Sequence, residues 1–172
     1  FDTFLEAGVL FTALLLLLVL LAGDRAASAG PDSLSTPVVA GIVRWLLPPL
    51  LVFSFYIMLF GHLSPGGGFS GGSLLGACLI LDRYADSGRA LGRRLTEPRA
   101  LVLTAGALCL MALLKGQAFV AGALHLNGLA IPLGEPGRIA SAGLLVPLNL
   151  LVGLIVGLVF YRVAILLEEE GS

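Results

Sequence analysis

The sequence predicts an all-α, polytopic membrane protein with about five transmembrane helices. Of its 172 residues, 58% are hydrophobic and only 12% are charged, whereas a soluble domain carries about 25% charged residues. The mean hydropathy is +1.01. So few charges cannot cover a water-exposed surface, and lipid is therefore the expected solvent of the outer surface.

Five apolar stretches support this count, since a helix needs roughly 20 residues to cross a bilayer. They cover residues 3–22, 42–61, 71–81, 100–123 and 140–167. The third is short, and it reaches spanning length only if the glycine-rich segment 66–72 belongs to the helix. Residues 26–41 are predicted to form a cytoplasmic linker, and residues 42–172 a membrane domain of four helices.

The basic residues predict the orientation of these helices. If all five stretches cross the bilayer, eight of the ten basic residues share one side. Arg138 falls in an opposite loop and Lys115 within a helix. By the positive-inside rule the shared side is cytoplasmic, so the N-terminus faces outward and the C-terminus is cytoplasmic. The eight residues are Arg25, Arg44, Arg83, Arg89, Arg93, Arg94, Arg99 and Arg162.

This orientation is testable with an impermeant thiol reagent. A cysteine introduced as Arg89→Cys should be labelled only after the membrane is opened, because the loop 82–99 is predicted to be cytoplasmic. Strong labelling of that cysteine in intact cells would contradict the topology.

Composition also narrows the chemistry. The formal net charge is -1, which gives no reason to expect a nucleic-acid partner. Cys78 and Cys109 lie inside apolar runs without a neighbouring ligand residue, so they are interpreted as small buried apolar side chains. No disulfide, metal or cofactor is expected.

The segment 61–72, GHLSPGGGFSGG, is the most unusual in the chain. Glycine costs about 1 kcal/mol relative to alanine in an ordinary helix. A glycine cluster is expected where backbones approach closely or where a loop is buried at membrane depth. We interpret the segment as a tight turn that lets the second and third helices pack, and His62 as either a proton relay or a structural residue. The structural motif consists of Pro65, Gly66, Gly67, Gly68, Phe69, Gly71 and Gly72.

Three polar residues within apolar stretches are candidates for function. Lys115 lies well inside the fourth stretch, and an ionisable group within a membrane span is a candidate functional residue by default. Alternatively, that helix ends near Gly116 and the ammonium snorkels to the interface. Glu6 is a cation or proton ligand if its helix extends upstream, and interfacial if it does not. Asn149 is expected to hydrogen-bond between helices, whereas residues 168–170 are interpreted as a solvated end.

Two motifs resemble those of a known family. Segment 61–72 resembles the G-H-x-S-P-G-G-G-F-x-G-G signature of the MnhB-like subunit of Mrp-type multisubunit sodium/proton antiporters, and of the equivalent subunit of membrane-bound hydrogenases. The resemblance covers about residues 40–168. Residues 1–6, FDTFLE, resemble the F-D-T-L-G-E signature near the end of the A-type subunit of the same antiporters. The chain thus resembles an A-type tail, residues 1–25, joined to an MnhB-like domain.

This resemblance implies a function and its residues. The chain would be a membrane subunit of a multisubunit sodium/proton antiporter in a prokaryotic inner membrane. Glu6, Lys115 and His62 would lie on the ion path. Its partners would be other subunits, sodium and protons, and it would not itself be an enzyme. Apart from the resemblance, the glycines of the fifth helix at 143, 153 and 157 suit close contact with other helices, and the chain is not expected to be stable or active alone.

Two departures from the family keep alternatives open. Leu5 replaces a family glycine beside Glu6. Asn149 stands in a segment where many MnhB-like antiporter subunits have Phe-Asp, and the lost carboxylate favours a hydrogenase-like branch. The alternatives are a membrane-arm subunit of a redox-driven, hydrogenase-type complex and a structural scaffold that titrates nothing.

Overall fold

The computed structural model describes residues 2–21, 37–61, 66–85, 95–124 and 144–170. These residues form helices and their ends, with no strand among them, and the all-α prediction is confirmed. The five helices are α1 (Asp2–Leu20), α2 (Pro37–Phe60), α3 (Gly67–Ala85), α4 (Glu97–Ala123) and α5 (Leu145–Glu170).

Four of these helices, α1, α2, α4 and α5, are long and apolar enough to cross a membrane. Helix α3 has 19 residues, or about 28 Å at 1.5 Å per residue, which is close to the hydrocarbon thickness of about 30 Å. Its hydropathy is lower because glycines fill its first half and Asp82 and Arg83 lie in its last turn. Helix α3 packs against both α2 and α5, so neighbouring helices, rather than lipid, cover much of its surface.

The glycine-rich segment is the start of α3. Residues from Gly67 onward are helical, so the interpretation of the whole segment as an interhelical turn is wrong, whereas the helix does reach spanning length by including them. Backbone torsion marks the entrance: φ is 136° at Gly66 and 55° at Gly67, values that favour glycine. A side chain at Gly61 would meet the backbone of Gly67.

Helix α5 is the centre of the bundle and contacts each of the other four helices. Gly68 of α3 lies against Asn149, and Gly76 lies against Gly157 and Phe160, so α3 and α5 run parallel. Glu97, which begins α4, contacts Arg162 near the end of α5, so α4 runs antiparallel. We name the two ends of the bundle the Asn149 end and the Arg162 end.

Glycines form the contact between α3 and α5. A Cβ atom on Gly72 would lie 2.6 Å from the carbonyl oxygen of Gly153 and 2.8 Å from Cβ of Val156. Gly157 also lies close to α3, and Gly153 faces Met58 of α2 as well. Gly153 and Gly157 therefore make the close contacts with other helices that were predicted, and these helices belong to their own chain. Residue 143 lies outside the described residues.

Helix α2 begins at Pro37, five residues before the predicted start. Proline suits the first helical turn because its missing N–H would have no partner there. Pro48 and Pro49 consequently lie inside the helix rather than near its beginning. The hydroxyl of Ser54 donates a 2.7 Å hydrogen bond to the carbonyl oxygen of Gly71, which ties α2 to α3.

Candidate functional site

Lys115 lies near the Asn149 end of α4 and is half-buried. The helix continues to Ala123, eight residues or about 12 Å beyond Lys115. The alternative in which α4 ends near Gly116 is therefore wrong. An ammonium group at this position lies within the membrane-spanning part of the helix, where a charge is costly without a partner or water.

An open cavity of about 270 Å³ between α1 and α4 is lined in part by Lys115. Its lining is almost entirely apolar. Among the described residues, no carboxylate forms an ion pair with Lys115. The cavity is lined by Phe4, Ala112, Lys115, Gly116 and Phe119.

Glu6 lies on another side of α1 and is exposed. Phe4 faces the Lys115 cavity, and Glu6 follows it by two residues, or about 200° around the helix. Leu10, one turn after Glu6, lines an apolar groove between α1, α3 and α5. The structure therefore does not bring Glu6 and Lys115 together.

Asn149 lies where α3 begins. Its carbonyl oxygen is against Gly68, and its side-chain oxygen is 3.8 Å from the position of a Cβ atom on Gly67. Phe69 packs edge-on against Phe160, with the ring centroids 6.2 Å apart. His62 and Pro65 lie outside the described residues.

Ion pairs at the Arg162 end were missed by the sequence analysis. Arg162 Nη2 lies 3.3 Å from Glu97 Oε2, and Arg83 Nε lies 3.2 Å from Glu168 Oε2. These pairs join α3 and α4 to α5. Glu168 is thus not simply solvated, since its side chain is only 18% exposed. Arg162 interrupts an apolar run, which could have indicated a buried ion pair, although the sequence does not identify Glu97 as the partner.

Glu97→Gln should lower the free energy of unfolding by about 1–3 kcal/mol, because it weakens a hydrogen-bonded charge pair to a buried arginine. Arg162 is 6% exposed, so water compensates its guanidinium poorly. Thermal unfolding in detergent would measure the loss. Asp2→Asn, which removes an exposed carboxylate at the opposite end, is the matched control and should change stability little. Equal stability of both variants would contradict a stabilising role for the pair.

The middle of the bundle offers no polar route between the two ends within the described residues. The hydroxyl of Ser54 donates to Gly71, and that of Thr104 donates to the carbonyl of Ala100. Ser73 likewise donates to Phe69. Along α5, residues 150–160 are all apolar or glycine. Each of these hydroxyls therefore donates to a backbone carbonyl, and the described middle of the bundle has no acidic or basic side chain.

Two sequence comparisons find similarity to the B-type subunit of Na+/H+ antiporters. Residues 38–162 match the family model described as "Domain related to MnhB subunit of Na+/H+ antiporter". The B-type Na(+)/H(+) antiporter subunit of Bacillus subtilis (strain 168) is 40% identical over 79 residues, which are 45% of this chain and 54% of that protein. The chain thus spans about half the length of this curated relative.

A solved structure extends the likeness to almost the whole fold. A chain of the membrane-bound sulfane sulfur reductase (MBS), an archaeal respiratory membrane complex, superposes with a TM-score of 0.69 and 24% identity. The match covers 96% of this chain and 72% of that chain. At this identity the likeness concerns the fold, and its coverage includes most of α1 because the uncovered part is shorter than that helix.

Proposed function

The chain belongs to the family of domains related to the MnhB subunit of Na+/H+ antiporters, and from this premise we propose that it is a membrane subunit of a multisubunit sodium/proton antiporter. Membership confirms the resemblance noted for segment 61–72. It also makes the chain a multi-pass protein of a prokaryotic membrane. In this proposal other subunits complete the transport machinery.

Lys115 carries the proposal. It is a half-buried cation in a largely apolar cavity within a membrane-spanning helix, and such groups mark ion pathways. The path runs along the surface of the chain, between Lys115 and neighbouring subunits, because the described interior lacks a polar route. Lys115 either holds its proton or releases it while a cation passes a nearby group of a neighbouring subunit.

Glu6 and His62 act at other points of the same path. Glu6 lies exposed on the side of α1 away from Lys115, so it contacts a different part of the complex and binds a cation or proton there. His62, which follows the end of α2 in sequence, relays protons. Asn149 supports the start of α3 rather than binding the ion.

Two alternatives differ from this proposal in specific ways. Asn149 favours a membrane-arm subunit of a redox-driven complex, because many MnhB-like antiporter subunits carry a carboxylate in this segment and this chain does not. A structural scaffold would need neither Glu6 nor Lys115 for transport. Nickel or iron–sulfur subunits among the copurifying polypeptides would favour the redox-driven complex.

The function is tested by purifying the intact complex through a tag on this chain and reconstituting it in liposomes. Sodium-dependent proton exchange should appear, and Glu6→Gln should reduce it without changing the subunit composition. Asp2→Asn is the matched control, since it removes the neighbouring exposed carboxylate. Unimpaired exchange in the Glu6→Gln complex would remove Glu6 from the path, and no exchange by the wild-type complex would contradict the antiporter function.

A further inference from the structure

One face of α4 combines small residues with little internal packing. Its four small residues occur at intervals of four, three and four positions, which places them on one side of a helix. All four are exposed or half-buried; Cys109 is exposed, which corrects its interpretation as a buried side chain. We name this the α4 small-residue face, and it consists of Ala105, Cys109, Ala112 and Gly116.

The described glycines of α3 and α5 form one group, and those of α4, Gly106 and Gly116, form another. In α3 and α5, a Cβ atom added to Gly72, Gly76, Gly153 or Gly157 would have a neighbouring atom at 3.0 Å or less. A Cβ atom on Gly116 would meet nothing within 4 Å. The first group is needed for packing within the chain, whereas Gly116 has no such use. Small residues on a membrane helix allow another helix to approach closely.

Lys115 adds a charge to the edge of this face. It directly precedes Gly116, and it lines the same cavity as Ala112 and Gly116. A cation at this depth calls for an anion. The small residues beside Lys115 favour a helix over a lipid headgroup as the source of that anion, because they allow a helix backbone to approach closely. A carboxylate on a neighbouring membrane helix meets both requirements, charge and close approach.

We propose that the α4 small-residue face is the docking site for a transmembrane helix of another subunit, and that this helix carries an Asp or Glu at the depth of Lys115. The proposal rests on the proposed function, because it names the partner of the same lysine. The partner helix lies against Ala112 and Gly116, and its carboxylate pairs with Lys115 beside Phe4 of α1.

Photo-crosslinking in the purified, intact complex tests this docking site. Benzoylphenylalanine at Phe119, which lines the cavity and is 67% exposed, should crosslink to a membrane helix of an identified subunit. That peptide should carry an Asp or Glu within one helical turn, or about 5.4 Å, of the crosslink. The control is Leu110, which is 47% exposed and lies nine residues away, on about the opposite side of the helix. Crosslinks from Phe119 to lipid alone, or to a helix without a carboxylate, would overturn the proposal.

A matched pair of glycine variants gives a second readout. Gly116→Leu should reduce the copurifying partner about tenfold, equivalent to about 1.4 kcal/mol of binding. Gly106→Leu should leave it unchanged, since Gly106 is also unpacked but faces away from Lys115. Equal retention in both variants would contradict the docking site. These readouts report assembly, so a crosslink found alongside normal exchange by Lys115→Arg would support docking while refuting the transport role.

Discussion

Lys115→Arg is expected to lower sodium/proton exchange at least about tenfold, or about 1.4 kcal/mol in the activation barrier, while the complex stays assembled. Arginine keeps the positive charge and can still pair with a carboxylate, but it does not deprotonate in proteins. It is also larger and planar, in a cavity of about 270 Å³. Lys115→Ala removes the charge entirely and should abolish exchange. The measurement is sodium-driven proton movement in liposomes that contain equal amounts of each complex.

The control for this prediction is Arg99→Lys, a conservative change at an exposed position in the first turn of the same helix. It should exchange at the wild-type rate. If the Lys115→Arg complex also exchanges at the wild-type rate, Lys115 is an anchoring residue and not part of the ion path.

Gly72→Ala is expected to destabilise the fold by about 3 kcal/mol or more, at the upper end of overpacking effects. The added methyl group would lie 2.6 Å from the carbonyl oxygen of Gly153 and 2.8 Å from its Cα. Both are backbone atoms, so a side-chain rotation cannot relieve the contact. Helices α3 and α5 would have to separate, and α5 is the helix on which the other four pack.

The matched variant is Gly106→Ala, which adds the same methyl group where no atom lies within 4 Å. It should keep or raise stability, because alanine favours a helix by about 1 kcal/mol over glycine. Thermal unfolding of both variants in the same detergent provides the comparison. Equal stability would mean that the close α3–α5 contact is not required.

Four of the five helices could be predicted from the sequence because their apolar stretches are long enough to cross a bilayer. The start of α3 was the exception. The intrinsic cost of glycine in a helix favoured a turn, whereas contact with Gly153 and Asn149 requires glycine there. Helix propensity is a property of each residue alone. The contact that offsets the cost of glycine comes from α5, about 80 positions later in the chain.

The candidate site was predictable only in part. Lys115 was identified because a charge stands out in an apolar run, but its depth depended on where α4 ends. Gly116 and Ala123 were both plausible ends of α4, because no residue between them is a strong signal for helix termination. The Arg162–Glu97 pair could not be predicted, because the sequence of one helix does not show which other helix its charged side chain contacts.

We propose that this chain supports transport at its surface, together with neighbouring subunits, and does not conduct ions through its own interior. The most direct measurement is sodium/proton exchange by the purified, monodisperse chain alone in liposomes, beside the intact complex. We expect exchange by the complex and none by the chain alone. Exchange by the isolated monomer at a rate comparable to the complex would contradict it.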